Sequence, residues 1–469
     1  MSTPPVILWF RRDLRLGDQA ALLAALASGA PVIPAYVLDD ETPRHRRLGG
    51  ASRWWLHHSL AALADDLAAR GSRLILRRGR AEVALAELAA ETGARQVHAL
   101  HHHEPWWRNA ERAVARGGLD LRLRHGNFLA PPGSVRTGQG TPFRIYTPFW
   151  KALRLTMPPP APTPAPGHIN APAQWPDSDS LADWGLLPTA PDWAGGLRAA
   201  WTPGEGGAQA ALADFVGRAA RYEAQRNLPS RAGTSRLSPH LAFGEISPAT
   251  VWHATADAGG SVAIFLSELA WRDYAQNIIT EFPDYGARSA KPIFDRFPWR
   301  AGAEAEADLA AWQRGRTGYP IVDAGMRELW ATGWMHNRVR MIAASFLIKH
   351  LLIDWRRGEQ WFWDTLVDAD LAQNAVNWQW SAGSGVDANL FVRIMAPLTQ
   401  SPKFDAGDYI RRWVPELAAL GEAEIHDPGP LSRRRCGYPE AIIGHVEARA
   451  RALATWASLR GAADVAPSD

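Results

Sequence analysis

The sequence predicts an α/β N-terminal domain, with a parallel doubly wound sheet, followed by an all-α domain. Three observations carry that reading. Over the first ~130 residues, short apolar runs alternate with helix-period segments, as in βαβ units around a parallel sheet. A proline-rich stretch then interrupts the pattern. From Gly206 onward helical periodicity dominates, with few strand signals and no internal repeat.

The elements follow in order. Val6-Ile-Leu-Trp-Phe10 reads as a buried strand, and Asp18 is placed to cap the Ala-rich helix after it. Val32–Val37, Leu74–Leu76, Gln96–Leu100 and Leu119–Leu123 read as further strands, with helices at Ser52–Ala69, Ala81–Thr92 and Trp107–Ala115. From Met157 to Pro203 the chain turns to proline (Pro158, Pro159, Pro160, Pro162, Pro164, Pro166, Pro172, Pro176), which suits an extended surface connector. The clearest later helices are Ala210–Gln225, Pro248–Ala258, Ile264–Phe282, Leu309–Gln313, Val322–Thr332, Arg338–Leu352 and Glu359–Leu366. The expected division is 1–130 for the α/β domain, 131–203 for the connector, 204–455 for the helical domain and 456–469 for a frayed tail.

Composition narrows the class. With 46% apolar and 21% charged residues among 469, the chain is globular and long enough for about two to four domains. Its single cysteine, Cys436, excludes an internal disulfide and suits the reducing cytoplasm. Met1-Ser-Thr-Pro-Pro5 has neither the basic nor the apolar region of a signal peptide. The longest apolar-looking run, Met341–Trp355, is broken by Lys349, His350 and Asp354 and falls short of the roughly 20 residues of a membrane span. A soluble protein is expected. A net charge of +3 permits a nucleic-acid partner without arguing for one. No G-x-G-x-x-G and no P-loop follows any strand, so the first domain is not an ordinary dinucleotide or NTP site.

Between Trp312 and Lys403, charged, amide and indole groups stand among apolar residues. They include Thr317-Gly-Tyr-Pro-Ile-Val-Asp323, Gly333-Trp-Met-His-Asn-Arg-Val-Arg-Met341, Leu366-Val-Asp-Ala-Asp370 with Asn374, and Trp378-Gln-Trp380. Buried charge is costly unless paired or engaged with a ligand, so the run points to a large, partly polar, planar ligand in a helical core. Upstream, Thr234-Ser-Arg-Leu-Ser238 gathers hydroxyls and backbone N–H groups suited to a pyrophosphate; a helix cap would use the same residues. Glu268, Trp271 and Arg272 share one helix face, either toward a ligand or as an ion pair beside a core tryptophan. Asp368 and Asp370 form a D-x-D pair, but no histidine or third carboxylate stands at a useful spacing, and no metal is expected. In His101-His-His-Glu104, strand alternation keeps the three rings from converging on a metal.

Taken together, these motifs closely resemble the flavin site of the photolyase/cryptochrome family, and the likeness runs from Val6 to about Glu416. The resemblance implies a U-shaped FAD in the helical domain. Thr234, Ser235, Arg236, Leu237 and Ser238, with Tyr222, would wrap its diphosphate. Arg272, Asn337, Arg340, Asp368 and Asp370 would contact the flavin, and Asn374 would face its N5 position. Glu268, Trp271 and Asn337 are implied beside both flavin and substrate; Met341 and Trp380 would touch the lesion; Arg226, Arg338, Arg393 and Lys403 would face DNA phosphates. Trp312, Trp355 and Trp378 fall at the positions of the family's tryptophan electron-transfer chain.

The implied activity is light-driven repair of cyclobutane pyrimidine dimers in UV-damaged DNA by electron transfer from excited reduced FAD, that is, a deoxyribodipyrimidine photo-lyase acting on an extruded dimer. Asn374 follows the photolyase pattern, and Asn-Arg-Val-Arg-Met at 337–341 favours the cyclobutane dimer over the (6-4) photoproduct. Ala369 and Gln373-Asn-Ala-Val-Asn377 depart from the class I pattern, while Gly383-Ser-Gly-Val-Asp-Ala-Asn389 leans toward the class III-like bacterial branch. The alternative within the family is a blue-light photoreceptor cryptochrome without repair activity. Outside it stands a nucleic-acid binding protein whose aromatics serve as stacking platforms. Glu104 lies near a family position for a folate antenna, although Pro105-Trp-Trp107 differs from the class I pattern; methenyltetrahydrofolate is the first expectation, with a deazaflavin or no antenna as the others. The protein is expected to work as a monomer.

Overall fold

The computed structural model describes residues 3–258 and 262–464, with side chains to 461. Its one named sheet has five strands: β1 (Val6–Phe10), β2 (Val32–Leu38), β3 (Ile75–Arg78), β4 (Gln96–Leu100) and β5 (Asp120–Arg124). All pairings are parallel and the order is β3-β2-β1-β4-β5, so the winding reverses between β1 and β4. The helices between strands are α1 (Ala20–Ala27), α2 (Gly50–Ala68), α3 (Ala81–Thr92) and α4 (Pro105–Arg116).

Strand alternation divides the core in two. Val6, Leu8 and Phe10 pack with α1 and α2 on one face, and Ile7 and Trp9 with α3 and α4 on the other. That double burial is why β1 and β2 are unbroken apolar runs.

Several expectations need correction. Asp18 does not cap α1: it sits at φ 49°, and the Gln19 side chain accepts from Ala21 N instead. The third and fifth strands begin one residue later than expected and extend to Arg78 and Arg124. The segment read as one helix, Ala210–Gln225, is Glu205–Val216, closed at Gly217, then a separate turn of helix at Tyr222–Gln225. The Arg338 helix begins at Asn337, capped by the His336 side chain, and passes at Phe346–His350 into a π-helical turn. The proline-rich connector is not confined to the surface, since Ile169, Trp184, Leu186 and Leu197 join the sheet core. The expected frayed tail is part of a helix, His445–Asp464, whose Trp456 stacks on Phe294 and Phe391; residues 465–469 lie outside the described residues.

By its internal contacts the chain forms two units. The first comprises Met1–Ala220, Ser235–Pro283 and Val367–Asp370; the second Arg221–Thr234, Asp284–Leu366 and Leu371–Asp469. No helix among the described residues is long and apolar enough to cross a membrane.

Candidate functional site

In the first unit, the helix Ser238–Ala242 begins with Ser238, and no side chain caps it. The Ser238 hydroxyl instead donates to Asp368 Oδ2 at 2.7 Å. Arg236 adopts φ 56°, a left-handed conformation that costs a non-glycine residue free energy, and its guanidinium lies 4.2 Å over Trp201. Asp370 is faced by two guanidiniums, Arg12 and Arg272. Arg272 donates to the carbonyls of Asn127 and Leu241, and Arg12 to those of Ala242 and Ala369. Arg12, which sequence reasoning missed, thus ties the Asp368–Asp370 loop to the carboxyl end of β1. Its only signal was a pair of arginines directly after a buried strand.

On the helix Ala263–Glu281, Trp271 packs 4.7 Å from the ring of Tyr146 and 5.2 Å from Tyr274. Tyr146, also missed, bonds Ser267 and is held well above the usual phenol range, at about 12, by burial first and then by the negative field of Glu268 and Asp273. Glu268 therefore sits beside a neutral phenol.

The second unit holds the amide and indole set. On the helix Leu371–Ala382, buried Asn374 donates through Nδ2 to both the carbonyl (2.9 Å) and the carboxylate (2.8 Å) of Glu359. Both partners are pure acceptors, so the amide can point only one way, and Oδ1 is left as an acceptor with no hydrogen bond. One turn on, Trp378 meets Trp312 at 6.3 Å and Phe362 at 5.0 Å, while Trp312 stacks on Phe362 at 6.0 Å. Trp312 is fully buried, and its Nε1 donates to Ala343 O. Trp355 touches neither of the other two rings among the described contacts; it lies under Arg356, with its Nε1 buried and unpartnered. Gly358, on the helix that Trp355 opens, packs against Trp378: a Cβ there would fall 2.1 Å from Trp378 Cη2.

Trp380 is half-buried on the same helix. Between the two tryptophans, Gln379 is fully buried; Nε2 donates to the carbonyls of Tyr285 and Arg288, and Oε1 accepts from Ala290 N. Asn337 is exposed at the start of its helix. Arg338 donates to Asn227 Oδ1 at 2.7 Å, touches Met341 Sδ at 3.5 Å and stacks on Phe404, the ring that Lys403 also covers. Arg340 bonds Met335 O, and Arg226 lies over Tyr222. Burial, then Arg338, Arg340 and Arg226, pushes His336 down to about 4, so a neutral ring stands among three permanent cations. Arg393 and Lys403 are exposed, and Thr234 is half-buried.

At the carboxyl ends of β1 and β4, Glu111 accepts from Arg11 Nη1 at 2.6 Å and meets His101 Nδ1 at 2.6 Å. Just beyond the end of β4, the ring centroids of His101 and His103 lie 4.2 Å apart, while His102 turns to Asp13. Near them His45 stacks on Trp106 at 5.7 Å and meets Trp107 edge-on.

Comparison with known proteins bears on both units. Residues 6–166 match the DNA photolyase family model, and residues 265–458 match the model described as the FAD binding domain of DNA photolyase. The chain belongs to the DNA photolyase family. A deoxyribodipyrimidine photo-lyase of Agrobacterium fabrum is 49% identical over 98% of this chain and 99% of its own length. The crystal structure of a class III photolyase from Agrobacterium tumefaciens superposes with a TM-score of 0.93, at 48% identity over 98% of each chain. An archaeal photolyase from Sulfolobus tokodaii, solved with two FAD molecules, superposes at 0.81 with 28% identity over 97% of this chain and 100% of its own. The second unit's residues fit a flavin, because the free Asn374 Oδ1 is an acceptor suited to a ring N–H.

Proposed function

We propose that this photolyase repairs cyclobutane pyrimidine dimers in UV-damaged DNA. The observation that carries the reading is Asn374, anchored through its nitrogen so that only an acceptor is left for a ligand. FAD, when bound, supplies the light-driven one-electron chemistry that opens the dimer.

The side chains bind, orient and exclude water. Thr234, Ser235, Arg236, Leu237 and Ser238, with Tyr222, hold the diphosphate. Arg272, Asn337, Arg340, Asp368 and Asp370 hold the ring and its ribityl chain, and Asn374 Oδ1 takes the N–H at the N5 position. Glu268 bonds the damaged base pair. Trp271, Trp380 and Met341 present apolar surface to the dimer and keep water from it. Arg226, Arg338, Arg393 and Lys403 meet phosphates, which the three guanidiniums around His336 support. Trp378, Trp312 and Trp355 supply electrons to the site.

A second, light-collecting chromophore of the folate type, methenyltetrahydrofolate, is held by the first domain near Glu104, where His45, Trp106 and Trp107 offer ring faces. A single cysteine, Cys436, which can form no internal disulfide, fits a cytoplasmic location, and the protein acts as a monomer.

The deciding assay is the light-dependent loss of thymine dimers from duplex DNA by the purified, chemically reduced holoprotein. Flavin that photoreduces while dimers persist would identify a sensor rather than a repair enzyme. Released chromophores, read by absorption after denaturation, test FAD and folate separately.

A further inference from the structure

Lys349 lies in the π-helical turn Phe346–His350 and is 1% exposed. Such turns are rare inside helices and often fall at functional sites. Its ammonium donates one hydrogen bond, 2.9 Å, to the carbonyl of Arg393, and sits 5.8 Å from the ring of Phe391. No carboxylate pairs with it among the described residues. Burial, then the guanidinium of Arg393, pushes it down to about 7. Four residues earlier, Ser345 Oγ accepts from Met395 N at 3.3 Å. These two bonds and buried Phe391 pin the underside of a loop whose upper side shows Leu390 (69% exposed), Val392 (42%) and Arg393 to solvent.

A lone buried ammonium is destabilising in a way that a methionine of similar length is not. For packing alone it is a poor choice, and the one group it grips is the backbone of a residue assigned to DNA phosphate. We propose that Lys349 is a positioning residue for damaged DNA, holding the 389–395 loop through the Arg393 carbonyl so that the Arg393 side chain meets a phosphate. The proposal rests on that assignment of Arg393. Bound phosphate also supplies the negative charge that both cations lack in the free protein.

The test is a double-mutant cycle on flavin-loaded protein with a duplex carrying one thymine dimer, read as affinity at several salt concentrations and as repair rate at saturating DNA. Lys349→Met should weaken binding about tenfold and lower the slope of log affinity against log salt by about one, as for one lost phosphate contact. Repair at saturating DNA should stay within about twofold, since only binding is affected. Arg393→Ala should weaken binding and flatten the salt slope by the same amounts, and the double variant should lose no more affinity than either alone. Additive losses, or Lys349→Met binding with unchanged affinity and slope, would overturn the proposal while leaving Arg393 in place. Arg393→Ala binding like the parent would remove the Arg393 assignment and the inference together. If Lys349→Met does not accumulate folded, Ser345→Ala, which removes the tether to Met395, takes its place in the cycle; additivity there is equally decisive against the idea.

Discussion

The loop after β1 and the helix Leu371–Ala382 both bury polar groups, and they treat them in opposite ways. In the loop, every nitrogen of Arg15 is engaged: Nη1 with Asn127 and Gly244, Nη2 with Gly126 and Asp18, and Nε with Asp18. Asp13 accepts from Arg11 N and Gln19 Nε2 beside it. In the helix, Asn374 spends only its nitrogen and keeps an acceptor in hand. A buried side chain with every polar atom bonded, as Arg15 is, fixes architecture, whereas one with a spare acceptor leaves room for a partner.

Five measurements would break or sharpen that contrast. Arg15→Met should be the most damaging to stability, by about 3–5 kcal/mol in urea unfolding, because it strands several buried acceptors at once. Gly358→Ala should cost about 1–3 kcal/mol, since its methyl must push Trp378 and Leu347 aside, and it should slow flavin photoreduction by moving that indole. Asn374→Ala should alter stability by no more than about 1–2 kcal/mol yet lower repair about tenfold or more, a loss of function without collapse. If it unfolds like Arg15→Met, the contrast fails.

The smallest effect is a pH dependence. Asp273 is buried, and burial pushes its carboxyl up to about 7. The folded state then holds a proton that the unfolded chain releases near pH 4. The stability this group contributes is therefore full below about pH 4 and declines as pH rises toward 7. Asp273→Asn should flatten the urea midpoint between pH 5 and 7; an unchanged slope would contradict the buried, protonated carboxyl. A further check on the indoles is Trp312→Phe, which should slow photoreduction of oxidised flavin and spare repair by chemically reduced protein.

Most of the fold was legible because strands buried on both faces are contiguous apolar runs, as β1 and β2 are. Helix boundaries slipped where the signal is a backbone conformation: Asp18 looks like a cap, but its left-handed φ hands that role to Gln19. The end of the last helix, from residue 456, was read as a tail because the sequence there is Ala-rich and closes on Ala466-Pro-Ser-Asp469, and Trp456 finds Phe294 and Phe391 only in three dimensions. Within the site, the residue types were readable and their partners were not. Glu359 orients Asn374 from fifteen positions away, and Arg12 reaches Ala369 from the far end of the chain. The three tryptophans read as equals, yet Phe362 bridges only Trp312 and Trp378.

Gln379 carries one more implication. Trp378 and Trp380 are two positions apart, about 200° around the helix, so they emerge on opposite sides of it. The amide between them is bolted to three backbone groups of the 285–290 segment. That bolt sets the helix's rotational phase, and any twist that retuned one indole would mis-aim the other. If Trp378 and Trp380 have the roles proposed for them, electron supply and lesion grip would then drift together, as two hands on a single shaft.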